Sequence, residues 1–179
     1  MKYIILQGDG MADYPIEALG NRTPLEAART PNMDWLAQHG VYGIAHVIPK
    51  GFPPGSDVGN MSIMGYDPAV YHTGRSPLEA ASMGVALGPK DIAFRCNLVT
   101  VVGNGSDATM QDFTSGHIPT EEAAEIIRDL GRELGGDGIE FFPGVSYRHL
   151  MVWRDGMEKM ETTPPHDITD QKTAGYMPK

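Results

Sequence analysis

The chain begins with Met1–Gln7 (MKYIILQ), an unbroken run of β-branched and other apolar residues that Gly8-Asp9-Gly10 cuts off. Such a run has neither helical period nor strict alternation, so it fits a strand covered on both faces, and strands of that kind belong to parallel sheets with helices on each side. The following segment agrees. Thr30 at an N-cap, Pro31 at the first helical position, Met33, Leu36 and Ala37 on one side and Gly40 as a stop predict a helix over 31–38. Val41–Pro49 (VYGIAHVIP) then reads as a second strand. Strand, helix and strand make a βαβ unit, whose ligand sites lie at the carboxyl ends of its strands, and Asp9 stands at such an end.

A loop dense in residues hostile to regular structure follows, Gly51-Phe52-Pro53-Pro54-Gly55, and Ser56–Met64 reads as a short helix ended by Pro68. From about Tyr71 the texture changes. Ile92–Val102 (IAFRCNLVTVV) predicts a strand with Thr109–Phe113 as partner, and Glu121–Leu134 an amphipathic helix with Ala124, Ile127, Leu130 and Leu134 in line. Val145–Trp153 and Glu158–Thr162 are expected to pair as antiparallel strands. A helix with antiparallel strands is an α+β module, distinct from the βαβ start, so two domains are expected, 1–71 and 72–179. With 41% hydrophobic residues in 179, the chain has enough apolar surface for a real core.

Charge excludes several partners. The formal net charge of −9, from 23 acidic against 14 basic residues, opposes binding to nucleic acid or to an acidic membrane. A single cysteine, Cys96, rules out an internal disulfide and any zinc site built on paired cysteines. The apolar runs are too short to span a bilayer and residues 1–25 lack the order of a signal peptide, so a soluble cytoplasmic protein is expected.

The segment richest in chemistry is Gly55-Ser56-Asp57-Val58-Gly59-Asn60. A serine in the first turn of a helix has unpaired backbone N–H groups and the positive end of the helix dipole beside it, which favour a phosphate oxygen or a developing alkoxide. The same position also suits a plain N-cap, worth about 1 kcal/mol. Asp9 is read in two ways as well. Asp-Gly is a common turn dipeptide, yet a carboxylate near a helix-entry serine resembles the metal-assisted nucleophile of phosphoryl-transfer enzymes.

Gly8–Asp13 (GDGMAD), Thr30–Gly40 (TPNMDWLAQHG) and Gly55–Pro68 (GSDVGNMSIMGYDP) occur in the order seen in the alkaline phosphatase superfamily. With Gly74–Gly84 (GRSPLEAASMG), Phe94–Val101 (FRCNLVTV), Ser115–Ile118 (SGHI), Tyr147–Leu150 (YRHL) and Pro164–Thr169 (PPHDIT), the chain resembles the archaeal-type, cofactor-independent phosphoglycerate mutases along nearly its whole length. The resemblance implies an incomplete α/β parallel-sheet core followed by an α+β cap that closes over the substrate. It implies phosphorylation of Ser56 by 3-phosphoglycerate, return of the phosphoryl group to give 2-phosphoglycerate, and contact of Asp9 and Ser56 with one of two divalent ions, Mn2+ or Mg2+. Arg75, Arg95, His117, Arg148, His149, His166 and Asp167 are the substrate-binding candidates it implies.

Each candidate has a plainer reading beside it. An arginine in an apolar strand, such as Arg95, usually turns to solvent. Arg148 and His149 alternate across a strand, so one face takes only one of them. His117 precedes a helix start and suits a turn, and the methionines, among them Met61 and Met64, read as core filler. Members of the family are much longer, and their further Asp and His ligand blocks do not occur here; after Asp167 there is only Asp170 and no histidine. The chain therefore reads as an amino-terminal portion, inactive alone and prone to self-association through an unfinished sheet edge. Another phosphomutase or a phosphatase of the superfamily, or a non-catalytic binding module, are the competing readings.

Overall fold

The structure is a computed structural model that describes residues 1–8, 10–156 and 160–179. The chain forms two compact units, Met1–His46 and Val47–Lys179. The first holds α1 (Pro24–Ala27) and α2 (Pro31–His39). A capping box starts α1: the Thr23 hydroxyl accepts from the Glu26 N–H at 3.2 Å and the Glu26 carboxylate accepts from the Thr23 N–H at 2.8 Å. Thr30 caps α2 by position, Pro31 begins it and Gly40 ends it, as the sequence signals predict.

The expected strands at 1–7 and 41–49 are not formed. Residues 1–8 and 41–47 lie in no ladder, their side chains are almost all exposed, and every ladder among the described residues is antiparallel. The parallel βαβ start is therefore corrected. A parallel strand needs neighbours on its edges and helices over both faces before its apolar run is covered. Two short helices do not provide that.

In the second unit, α3 (Ser56–Ile63), α4 (Pro68–Tyr71) and α5 (Arg75–Ser82) lead into β1 (Ile92–Asn97), β2 (Thr100–Val102), β3 (Thr109–Asp112), α6 (Thr120–Leu134), β4 (Ile139–Val145) and β5 (Arg148–Trp153). The main sheet has the order β1-β5-β4, and β2-β3 is a separate two-stranded ribbon. Helix α5 packs on β1 and β5, and α6 packs on β4. The register pairs Arg95 with Leu150, Asn97 with Arg148 and Cys96 with His149. Since directly opposed residues share a face, Arg95, Asn97, Arg148 and Leu150 lie on one side of the sheet and Cys96 and His149 on the other. Ala80 of α5 forms the core with Leu150 and Val152, with Met83, Val85, Leu87, Ala93 and Phe142 packed around them. Ile127, Leu150 and Val152 are fully buried, a gain of about 1.5–3 kcal/mol for each such side chain.

Arg154 clamps the far end of the sheet. Its guanidinium donates to Glu140 at 2.8 and 3.2 Å, to Asp91 at 2.6 Å and to the Ala86 carbonyl at 2.9 Å, and the paired carboxylates raise its already high pKa further. The tail returns along β3, with Met110 and Asp170 exchanging backbone bonds with Gln171 and Met110 and burying Ile168.

Three boundaries differ from the sequence reading. The run 92–102 breaks at Leu98-Val99 into β1 and β2, which belong to different sheets. The run 145–153 hides a two-residue turn, Ser146-Tyr147, and its true partner β4 carries Pro143-Gly144 in a bulge. In the expected strand 158–162, Glu158 and Lys159 lie outside the described residues and 160–162 form no strand.

Candidate functional site

Ser56 is the first residue of α3, with Gly55 in extended backbone as the N-cap. It is not itself the cap. Its exposed side chain borders a cavity of about 620 Å³ together with Asp57, Asn60, Arg75 and Glu79. Val58 and Gly59 are buried and anchor the helix, so the apolar half of the motif fixes what the polar half presents.

Arg75, in the first turn of α5, has Nε 3.4 Å from Glu79 Oε1, one turn along. Arg95 reaches the same oxygen from β1 at 3.3 Å, with its side chain only 23% exposed. The plain expectation of a solvent-facing arginine is thus overturned. Register directs Arg95 to the α5 face, where Glu79 is the carboxylate within reach. That contact is an ion pair without hydrogen-bond alignment. Both arginines are held at Nε, which leaves their Nη groups able to meet an oxyanion.

A second group forms around the β4–β5 turn. The Ser146 N–H donates to Thr120 Oγ1 at 3.1 Å and the Ser146 hydroxyl donates to the Ile118 carbonyl at 2.8 Å, tying the turn to the start of α6. Next to it, Arg148 lies 5.0 Å from the centre of the Tyr147 ring. The rings of Phe113 and His117 stand 6.1 and 6.4 Å from Tyr147, and His166 6.0 Å from Phe113. His117 follows a turn organised by Asp112, which accepts from Thr114 N–H and Oγ1 and from Gly116 N–H at 2.8, 2.7 and 2.6 Å. Bonds from Thr114 and Gly116 hold the Asp112 carboxyl below its usual range. Ser115, Gly116 and His117 all have positive φ, so the bonds to Asp112 offset a backbone cost at the two non-glycine positions. Asp167 sits 3.5 Å from His166, both exposed.

The structure therefore brings Ser56 to Arg75, links Arg95 to Arg75 through Glu79, and gathers His117, Arg148 and His166 about Phe113 and Tyr147. It does not bring His149 to that surface group. His149 is 2% exposed on the opposite face of the sheet, and its Nδ1 accepts from the Gly144 N–H of the β4 bulge at 3.0 Å. Its neutral ring therefore carries the proton on Nε2, which has no partner among the described residues, and burial pushes its pKa down. Asp9 lies outside the described residues.

Asp57, Glu79, Phe113 and Tyr147 were missed as site residues by sequence reasoning, as was His72, whose Nε2 donates to Asp57 Oδ2 at 2.8 Å. Asp57, Glu79 and Tyr147 stand inside the quoted motifs, whereas His72 and Phe113 lie outside them. Partial burial works to raise the Asp57 carboxyl, but bonds from His72 and from the backbone N–H groups of Val58 and Asp57 outweigh it and hold it below the ordinary carboxylate value. The Ser56 hydroxyl and the Asp57 carboxylate are hard oxygen donors suited to a divalent ion. Among the described residues, however, no three His, Cys, Asp or Glu side chains are grouped to hold one. Nor is any described helix long and apolar enough to cross a membrane.

Residues 37–179 match the sequence profile described as 2,3-bisphosphoglycerate-independent phosphoglycerate mutase. The chain is 56% identical over 179 residues to the Methanosarcina barkeri protein of that name, covering 99% of this chain and 44% of the relative. To its Methanosarcina mazei counterpart it is 57% identical over 180 residues, covering 100% and 44%. Among solved structures it is similar to PH0037 from Pyrococcus horikoshii, with a TM-score of 0.62 and 32% identity over 80% of this chain and 35% of that one. The chain thus spans under half the length of the curated relatives it matches.

Proposed function

The chain belongs to the 2,3-bisphosphoglycerate-independent phosphoglycerate mutase family, and from that premise we propose that it is the amino-terminal portion of an isomerase that interconverts 3-phosphoglycerate and 2-phosphoglycerate in glycolysis and gluconeogenesis. The observation that carries this reading is Ser56 at the exposed entrance of α3, bordering one cavity with the Arg75 guanidinium.

The Ser56 oxygen attacks phosphorus, the bond from phosphorus to the 3-oxygen breaks, and that oxygen takes up a proton equivalent to the one the serine gives up. The glycerate then turns in place and its 2-oxygen attacks the phosphoserine, restoring the serine hydroxyl. No water is consumed, so the site has to exclude it. In this reading Arg75, at the cavity beside Ser56, and Arg95, linked to it through Glu79, neutralise the equatorial oxygens of the transferring phosphoryl group. His117, Arg148, His166 and Asp167 form the polar group that orients the glycerate, while His149 acts from beneath through the Gly144 bulge.

In this reading residues 1–71 belong to an alkaline-phosphatase-superfamily core and residues 72–179 to its cap. Asp9 and Ser56 are this chain's share in holding Mn2+ or Mg2+, two ions in the complete enzyme, and such an ion when bound lowers the cost of ionising the serine hydroxyl. The described residues do not complete that ligand set.

The test is Ser56→Ala in the complete polypeptide carrying this chain. Interconversion is expected to fall below detection while 3-phosphoglycerate still binds, because only the attacking oxygen is removed. Mass spectrometry of the quenched wild type should find phosphate on Ser56. Retained turnover in Ser56→Ala rejects the reading, and release of free phosphate faster than interconversion assigns a phosphatase instead.

A further inference from the structure

Ser56 starts its helix without help from its own cap. Gly55 offers no side chain to the first turn of α3, and a helix of eight residues with an uncapped start frays easily. Besides the buried Val58 and Gly59, that turn is held by the bond from His72 Nε2 to Asp57 Oδ2, 2.8 Å long between side chains that are 14% and 15% exposed. His72 also meets the edge of the Phe52 ring, with 6.0 Å between centroids and 78° between planes. Three segments close together in sequence but not locally bonded are thereby pinned at one point: the loop before α3 at Phe52, the first turn of α3 at Asp57, and the residue that ends α4 at His72. Because Asp57 is ionised and can only accept, the proton of this bond sits on His72 Nε2.

The serine is adjacent to the pinned residue. Its hydroxyl direction is set by where the first turn of α3 points, and in-line attack tolerates little error, since a displacement of about 1 Å can cost about 100-fold in rate. We propose that His72 is a positioning residue for Ser56: acting through Asp57 and packed against Phe52, it aims the serine hydroxyl into the cavity shared with Arg75. This rests on the reading that Ser56 is the nucleophile. His72 itself does not border that cavity, so it is not a catalytic residue.

The experiment uses the complete polypeptide with His72→Phe, which keeps a ring against Phe52 but removes the donor, and His72→Gln, which restores an N–H near the position of Nε2. Ser56→Ala runs in parallel, with 3-phosphoglycerate as substrate. His72→Phe is expected to lower kcat about 10-fold to about 100-fold with KM and melting temperature near wild type, and His72→Gln to recover most of the loss. Wild-type kcat in His72→Phe, with Ser56→Ala inactive, overturns the positioning role alone. So does a rise in KM at constant kcat. A fall in kcat that tracks a fall in melting temperature and is not recovered by His72→Gln shows a structural role only and also overturns it. An active Ser56→Ala instead removes the premise on which the proposal rests.

Discussion

The two units carry similar apolar runs and treat them in opposite ways. In Met1–His46, Ile4 and Leu6 are each 91% exposed and Ile44 is 94% exposed, whereas in Val47–Lys179 Ile127, Leu150 and Val152 are fully buried. Within the first unit α1 is closed by its own capping box and α2 by Pro31 and Gly40, but no described side chain is buried. In the second, one antiparallel sheet receives a helix on each face, and each element covers what its neighbour would leave wet. The difference shows that an apolar run supplies the capacity for burial and nothing more. Antiparallel strands joined by a two-residue turn find their partner nearby, while a parallel strand waits for partners brought by crossover connections.

The largest expected effect tests that contrast at its centre. Ile127→Ala should lower the unfolding free energy of the second unit by about 2–5 kcal/mol in denaturant titration, because α6 cannot collapse into the space left over β4. A loss near zero would mean that the layer is not packed as described. Limited proteolysis should next separate the units. Cleavage is expected within residues 1–46 well before any cut in β1, β4 or β5, since little buried apolar contact opposes local opening there. Uniform cleavage breaks the comparison.

A smaller effect should appear with pH. The folded His149 pKa is depressed by burial, so the unfolded chain binds its proton first as pH falls. Its contribution is present above about pH 6.5 and is lost as pH drops from there towards the folded value. Melting temperature should therefore fall between pH 7.5 and pH 5.5, and His149→Gln, which keeps an acceptor for the Gly144 N–H but does not titrate, should flatten that slope. An unchanged slope would remove His149 from the account. Smaller again, Thr23→Ala should cost about 1 kcal/mol, seen as faster hydrogen exchange confined to α1. Leu36→Ala on the exposed side of α2 should change stability by no more than about 0.5 kcal/mol.

Helices α2 and α6 were legible because their signals are local: a proline at the first position of one, a recurring apolar line in the other, and a glycine after each. Strand β4 was not legible, since Pro143-Gly144 is ordinarily a breaker and here forms a bulge whose free N–H His149 accepts. The break at Leu98-Val99 was hidden for the opposite reason, an apolar run that continues through it. At the site, the sequence marked Ser56, Arg75 and the alternation of Arg148 with His149. It did not mark Glu79 as the carboxylate shared by two arginines, nor His72 as the partner of Asp57, because the Arg95–Glu79 and His72–Asp57 contacts join residues from different elements.

What the sequence alone determined is whatever depends on neighbours within a turn or two: where helices begin and stop, which serine enters a helix, and which residues share a strand. The tertiary structure decided which face of each strand is covered, and so turned Arg95 inward to Glu79 and buried His149. Burial is a property of what packs against a residue, and that partner lies far along the chain, beyond the reach of any local pattern.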